Sequence, residues 1–187
     1  QKFTAIVILS ALIQLLTLSL GGVLVLVGFI LAPVLGYALI KIILVDSKLI
    51  SVKDALLEGL KKILSLWWLG IVLTFVTLGF YVFFIIPGII ATVWFVFTLY
   101  IFADNGDKGL SAILRSREYV RGYWWSVAGR LLFITLIAQI ANIIVQSSFD
   151  LTTYVGMGLF WLISSVFITP ISTIYIAETY KNVKAIK

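Results

Sequence analysis

The chain has 187 residues, 62% of them apolar or aromatic and only 12% charged, a balance that a water-soluble domain of this size has no means of hiding from solvent. Its net charge of +6 comes from basic residues set beside apolar stretches, which points to membrane orientation and anionic headgroups and away from nucleic acid. Cys and His are absent, which excludes disulfides, thiolate nucleophiles, imidazole bases and the usual zinc, copper and haem ligand sets, and no cofactor is implied.

The fourteen Lys and Arg residues fall into four clusters, Lys2, Lys41 to Lys62, Lys108 to Arg130 and Lys181 to Lys187, separated by apolar stretches without positive charge. That pattern predicts an even number of crossings with every basic segment, and both termini, on the cytoplasmic side. A crossing helix takes about 20 residues, and six spans are expected near 3–20, 22–45, 63–80, 83–103, 125–146 and 155–177. The first lacks the small-residue cleavage site of a signal peptide and reads as a retained span. Leu20-Gly21-Gly22 marks the first external turn. Gly28 and Gly36 read as close-packing positions in the second span, where no P-loop Lys-Ser/Thr follows them.

Between the second and third spans, about 47–66 predicts an amphipathic helix on the cytoplasmic surface. Leu49, Val52, Leu56, Leu60 and Ile63 lie on one face, and Ser51, Asp54, Glu58, Lys61, Lys62 and Ser65 on the other. It runs into Trp67-Trp68, placed at the depth that indoles prefer. The uncharged stretch from Ile63 to Ala103 would reach about 60 Å as one helix at about 1.5 Å per residue, twice the hydrocarbon thickness, so it must fold back between Thr77-Leu78-Gly79 and Pro87-Gly88. A second surface helix is expected over about 108–123, with Leu110, Ile113, Leu114 and Val120 opposite Ser111, Arg115, Glu118 and Gly122, and it meets Trp124-Trp125. Residues 147–154, with Asp150, mark the last external turn. Pro33, Pro87 and Pro170 read as kinks or turns.

A shift of 57 residues superposes Ala55 on Ala112, Leu57 on Leu114, Ile63 on Val120 and Trp67-Trp68 on Trp124-Trp125. The expected fold is therefore an all-α integral membrane protein, a single domain over 1–187, with six transmembrane helices as three parallel-repeat hairpins and two cytoplasmic interfacial helices.

Two segments carry a family resemblance: Phe84-Ile85-Ile86-Pro87-Gly88-Ile89-Ile90, and Gly109 to Trp125, which contains Arg115-Ser116, Arg121-Gly122 and Trp124-Trp125. They resemble the membrane domain of glycerophosphoryl diester phosphodiesterases and its free-standing relatives, the YciC-like six-helix membrane proteins of prokaryotes. The tyrosine-rich exit from Tyr175 to Lys184 is similar as well. In the fused enzymes the phosphodiester chemistry is attributed to a separate soluble barrel, which this chain does not contain, so the resemblance implies a membrane fold and no activity.

Function has few places to reside. Thr135, Gln139, Asn142 and Gln146 form a polar stripe on the fifth span that continues to Asp150; Ser10, Gln14 and Thr17 form another on the first, and Ser165, Thr169 and Ser172 a third on the sixth. Such stripes either line a groove for a small polar solute or lipid headgroup, or join helices by hydrogen bonds. Arg130, inside an apolar run, either snorkels to the interface or pairs with Glu178 or Asp104. Arg115, Arg117 and Arg121 form the densest basic group, fit to hold a phosphate headgroup or an acidic partner, or to serve as a solvated charge band. Asp104 and Asp107, interrupted by Asn105-Gly106, read first as a turn. The expected function is a non-catalytic accessory, scaffold or anchoring subunit in a prokaryotic plasma membrane, contacting lipids and a protein partner or a second copy. The alternative is a transporter or channel using spans one, five and six.

Overall fold

A computed structural model describes residues 4, 6–8, 22–45, 50–106, 109–149, 156, 159–160 and 163–186. Among the described residues every regular element is helical. In chain order they are α1 (Gly22–Leu44), α2 (Val52–Lys61), α3 (Ile63–Phe83), α4 (Ile85–Phe95), α5 (Thr98–Asn105), α6 (Leu110–Val120), α7 (Trp124–Ser147), a π-helical segment (Ser164–Ile168) and α8 (Thr169–Ile186). Among the described residues three stretches are long and apolar enough to cross a membrane: Ile63–Val82, Ile85–Asn105 and Trp124–Ser147. Residues 9–20 of the expected first span, 3–20, and the turn at 150–154 lie outside the described residues.

The interfacial helix is shorter than the 47–66 expected, because both its ends are fixed chemically. Ser51, in extended conformation, caps α2 by accepting the Asp54 N–H on its Oγ at 3.4 Å. At the other end Lys62 alone leaves helical geometry (φ −103°, ψ 10°), and α3 starts at the next residue. Ile63 to Leu66 therefore belong to the long helix. The seam of α2 against α1 also differs from the predicted apolar face: the deeply buried positions are Ala55 and Gly59, while Leu60 is exposed. A Cβ at Gly59 would lie 3.0 Å from Val34 Cγ1 and 3.2 Å from the Val34 carbonyl oxygen, so Gly59 is where two helix backbones come close. Gly36, expected to pack closely, instead faces open space.

The fold-back of the long apolar stretch occurs at Phe84, a single extended residue (φ −167°, ψ 152°) between α3 and α4. Pro87 falls in the first turn of α4, where its missing N–H has no intrahelical partner to lose. Beside it, a Cβ at Gly88 would stand 2.3 Å from the Tyr81 ring, so only glycine lets Tyr81 cross the hairpin to meet Thr92 Oγ1 at 3.0 Å.

The fourth span, expected to be continuous, breaks at Val96-Phe97 into α4 and α5. No Gly or Pro stands there. Ser116 of α6 enters the break instead: its hydroxyl donates to the Trp94 carbonyl at 2.7 Å and accepts the Phe97 N–H at 3.2 Å. A side chain inserted into the helical ladder is a recognised cause of a kink. Near the other end of the chain, Pro170 has no N–H to offer the ladder, and the preceding turn widens to π geometry, closed by the Thr169 N–H on the Ser164 carbonyl. α8 runs on to Ile186, past the expected end near residue 177, and carries Tyr180 and Val183 into the core.

The core lies where short helices gather. The C-terminal half of α1, α5, α8 and the inner faces of α2 and α6 supply most of the fully buried side chains, among them Tyr37, Phe97, Ile101, Phe102 and Tyr180. α3 and α7 are peripheral: 11% of the most apolar 18 residues of Ile63–Val82 and of Trp124–Ser147 is buried, against 50% in Ile85–Asn105. Phe75, Leu78, Val82, Leu132 and Ile143 project outward from them. An apolar surface that large suits lipid and not water.

Candidate functional site

Two carboxylates organise the end of the molecule where α1, α2, α5 and α8 meet. Glu58 Oε1 accepts the Tyr37 hydroxyl at 2.6 Å and Lys62 Nζ at 2.7 Å, with Lys41 Nζ at 3.7 Å. Lys41 also donates to the Ala103 carbonyl at 2.8 Å, which ties α1 to α5. Asp104 Oδ2 in turn accepts the Tyr180 hydroxyl at 2.8 Å and the Lys184 ammonium, joining α5 to α8. Burial pushes the Glu58 carboxyl up, but the hydrogen bonds from Lys62 and Tyr37, aided by Lys41, outweigh it and hold the group below the ordinary carboxylate range. Burial pulls the Lys62 ammonium down, and its bonds to Glu58 and Tyr37 more than restore it. Burial, then the bond to Asp104, drives the Tyr180 phenol well up.

Aromatic rings floor these pairs. Lys62 Nζ stands 5.2 Å from the Tyr37 ring centre and 5.9 Å from that of Phe102. Tyr180 is enclosed by Phe97, Tyr100 and Tyr119 at 5.6 to 6.1 Å. Sequence reading placed Glu58 only on a polar helix face and Tyr180 only in a tyrosine-rich exit, because their partners lie 21 and 76 residues away along the chain. Arg130, half-buried, receives neither carboxylate considered for it: Asp104 is held by Lys184 and Glu178 by Lys181.

The tryptophan pairs divide their labour in the same way twice. Trp67 points inward and donates from Nε1 to the Ile30 carbonyl at 3.3 Å; Trp124 does the same to the Ile90 carbonyl at 3.4 Å. Their neighbours Trp68 and Trp125 are 62% and 83% exposed. Arg115, Arg117 and Arg121 all lie on exposed positions of α6 or its end. The Arg117 guanidinium stacks 4.7 Å from the Trp94 ring centre, and Arg121 lines a cavity of about 470 Å³ with Trp94, Trp124, Trp125 and three isoleucines of α4.

Of the polar stripe on α7, the structure joins Asn142 to another helix: its Oδ1 accepts the Ser164 hydroxyl at 3.0 Å, next to the π-helical segment. Thr135, Gln139 and Gln146 are exposed. Ser10, Gln14, Thr17, Asp107 and Asp150 lie outside the described residues. Among the described residues no three carboxylates gather as a metal site would require. The clusters around Glu58 and Asp104 join helices to one another, and the cavity that Arg121 lines opens between α4 and the start of α7. Comparison with protein-family models, with curated proteins and with solved structures yields no match.

Proposed function

We propose that the chain is a non-catalytic, multi-pass membrane module, an accessory or anchoring subunit whose cytoplasmic end is a rigid platform for a protein partner. The observation that carries this reading is the locking of both short helices onto the ends of the long ones. Gly59 lets α2 lie against Val34 and Tyr37 of α1, and Ser116 fixes α6 to Trp94 and Phe97 at the end of α4. Their outer faces, with Ser51, Lys53, Asp54 and Lys61 on one and Ser111, Arg115 and Glu118 on the other, are exposed and charged. Such a face meets polar partners without rearranging the core.

The same pairs support the repeat. Gly59 and Ser116, like Trp67 and Trp124, are separated by 57 residues, and the groups they touch, Val34 and Trp94, Tyr37 and Phe97, Ile30 and Ile90, by 60. We read α1–α2–α3 and α4/α5–α6–α7 as two parallel copies within a six-span, three-hairpin protein. We also propose the likeness to the membrane domain of glycerophosphoryl diester phosphodiesterases and to YciC-like proteins, which rests on the sequence motifs Phe84 to Ile90 and Gly109 to Trp125. In this structure Pro87-Gly88 shapes the hairpin between α3 and α4, Ser116 ties α6 to the end of α4, and Trp124 ties α7 to α4.

A second reading, transport of a small polar solute, is favoured by one observation: the Asn142–Ser164 bond abuts a π-helical segment, a distortion common at functional sites. Native mass spectrometry of the protein extracted gently from its own membrane separates the two. A stoichiometric protein partner, lost on replacing Lys53, Lys61 and Arg115 by Glu, is expected for the platform. A solitary chain that retains a polar solute, lost with Asn142→Leu, would replace that reading with transport.

A further inference from the structure

The chain presents one lipid-facing stripe twice, with different chemistry. Leu57, Leu60, Leu64 and Trp68 follow at helical spacing along α2 and the start of α3, and are 45%, 45%, 83% and 62% exposed. At the positions 57 residues later stand Leu114, Arg117, Arg121 and Trp125. Two outward leucines of the first unit are thus arginines in the second, one helical turn apart, at the start of a stretch long and apolar enough to cross a membrane.

Each unit has a cavity, and only the second stripe, through Arg121 and Trp125, lines one. The first, about 530 Å³ between α1 and α3, is walled by Pro33, Gly36, Leu66, Trp67, Gly70 and Phe75 and has no charged side chain in its lining. The second, about 470 Å³ between α4 and the start of α7, has Ile86, Ile89 and Ile90 along one wall, Trp124 and Trp125 along the other, and Arg121 at its rim. Gly122, at φ 92°, supplies the left-handed turn that sets Arg121 and Trp124 on the same groove. Arg117 stacks on Trp94, which also lines it. Stacking uses the face of a guanidinium and leaves its N–H edges for an anion.

We propose that this second groove holds one anionic phospholipid, with its phosphate on the Arg121 and Arg117 guanidinium groups and an acyl chain against the isoleucines of α4. Arg matches phosphate geometry in bidentate fashion, indoles prefer the headgroup depth, and the apolar wall has no use for a free phosphate ion. The inference is independent of the platform reading and shares with it only the placement of the chain in a bilayer.

The test titrates the full chain, in a neutral detergent, with phosphatidylglycerol or phosphatidylcholine of the same acyl composition and counts adducts by native mass spectrometry. The wild type is expected to retain one phosphatidylglycerol in preference to phosphatidylcholine. The R117L/R121L variant, which installs the leucines the first unit already carries, is expected to reduce that preference on the order of tenfold. A charge-matched K53L/K61L variant is expected to leave it unchanged. Equal binding of the two lipids by the wild type overturns the proposal, as does an equal loss in R117L/R121L and K53L/K61L, which would mean diffuse charge. Displacement of the lipid by millimolar inorganic phosphate would assign the arginines to a free anion and overturn it as well.

Discussion

Glu58 shows how one side chain can hold three elements. Tyr37 reaches it from α1, Lys62 from the corner between α2 and α3, and Lys41 connects it to the Ala103 carbonyl of α5. Its folded-state pKa lies below the ordinary value, so ionised Glu58 stabilises the fold above about pH 4.3, and that contribution is lost as pH falls through the lower, folded value. Lys62 is shifted up, so its share is present below about pH 10.4, for as long as Glu58 stays ionised, and is lost as pH rises through the higher, folded value. Glu58→Gln keeps the shape and removes the charge. It is expected to cost about 1–3 kcal/mol at pH 7, toward the lower end because the side chain is 30% exposed. The variant should also flatten the fall in melting temperature between pH 5 and pH 3 in detergent. A variant that melts with the wild type at both pH 7 and pH 4 would remove this cluster from the account of stability. None of this was legible in the sequence beyond a polar helix face, since helical periodicity shows which side of α2 is polar and not which helix that side meets.

At the scale of elements, what the sequence displayed depended on whether the cause was local. The crossing starting at Trp124 runs to Ser147, close to the expected 125–146, because apolar length and a tryptophan pair are local signals. The hairpin at Phe84 fell inside the predicted window, and Pro87 and Gly88 are the residues that shape it. The break at Val96-Phe97 had no local sign, because the residue responsible is Ser116, 19 positions away from Phe97. The small seam on α2 was hidden for a related reason: an apolar-face argument counts leucines, whereas contact with α1 is set by Ala55 and Gly59. Ser116→Ala tests the break directly. The buried Phe97 N–H loses its acceptor and the Trp94 carbonyl its donor, at about 1–3 kcal/mol for each buried group left unpaired. The expected result is a lower melting temperature with faster hydrogen exchange at the Phe97 amide. An unchanged melt and an unchanged Phe97 amide would mean that α4 and α5 part for some other reason.

For the whole molecule the decisive question is how many times the chain crosses the bilayer, and the basic clusters turn that count into a parity argument. Three stretches between Lys53 and Ser148 are long and apolar enough to cross, an odd number, so if each of them crosses, these two residues face opposite sides of the membrane. Phe84, 74% exposed at the hairpin, must share the side of Ser148. Ala185 is the sensitive position: if the positive-inside pattern governs, the expected sixth crossing at 155–177, which takes in the start of α8, returns it to the side of Lys53, and the Asp104–Lys184 pair then lies on that same side. The chain has no Cys, so single-cysteine variants at these four positions give labelling against a blank background. With a membrane-impermeant maleimide on intact cells, Phe84→Cys and Ser148→Cys are expected to label at once, and Lys53→Cys and Ala185→Cys only after permeabilisation. Ala185→Cys labelling from outside would leave an odd number of crossings between Lys53 and Ala185, and would break the three-hairpin arrangement at its last member. Lys53→Cys labelling from outside would invert the molecule and put the arginine-lined groove in the opposite leaflet, because Lys53 and the end of α6 are separated by two crossings and must lie on one face.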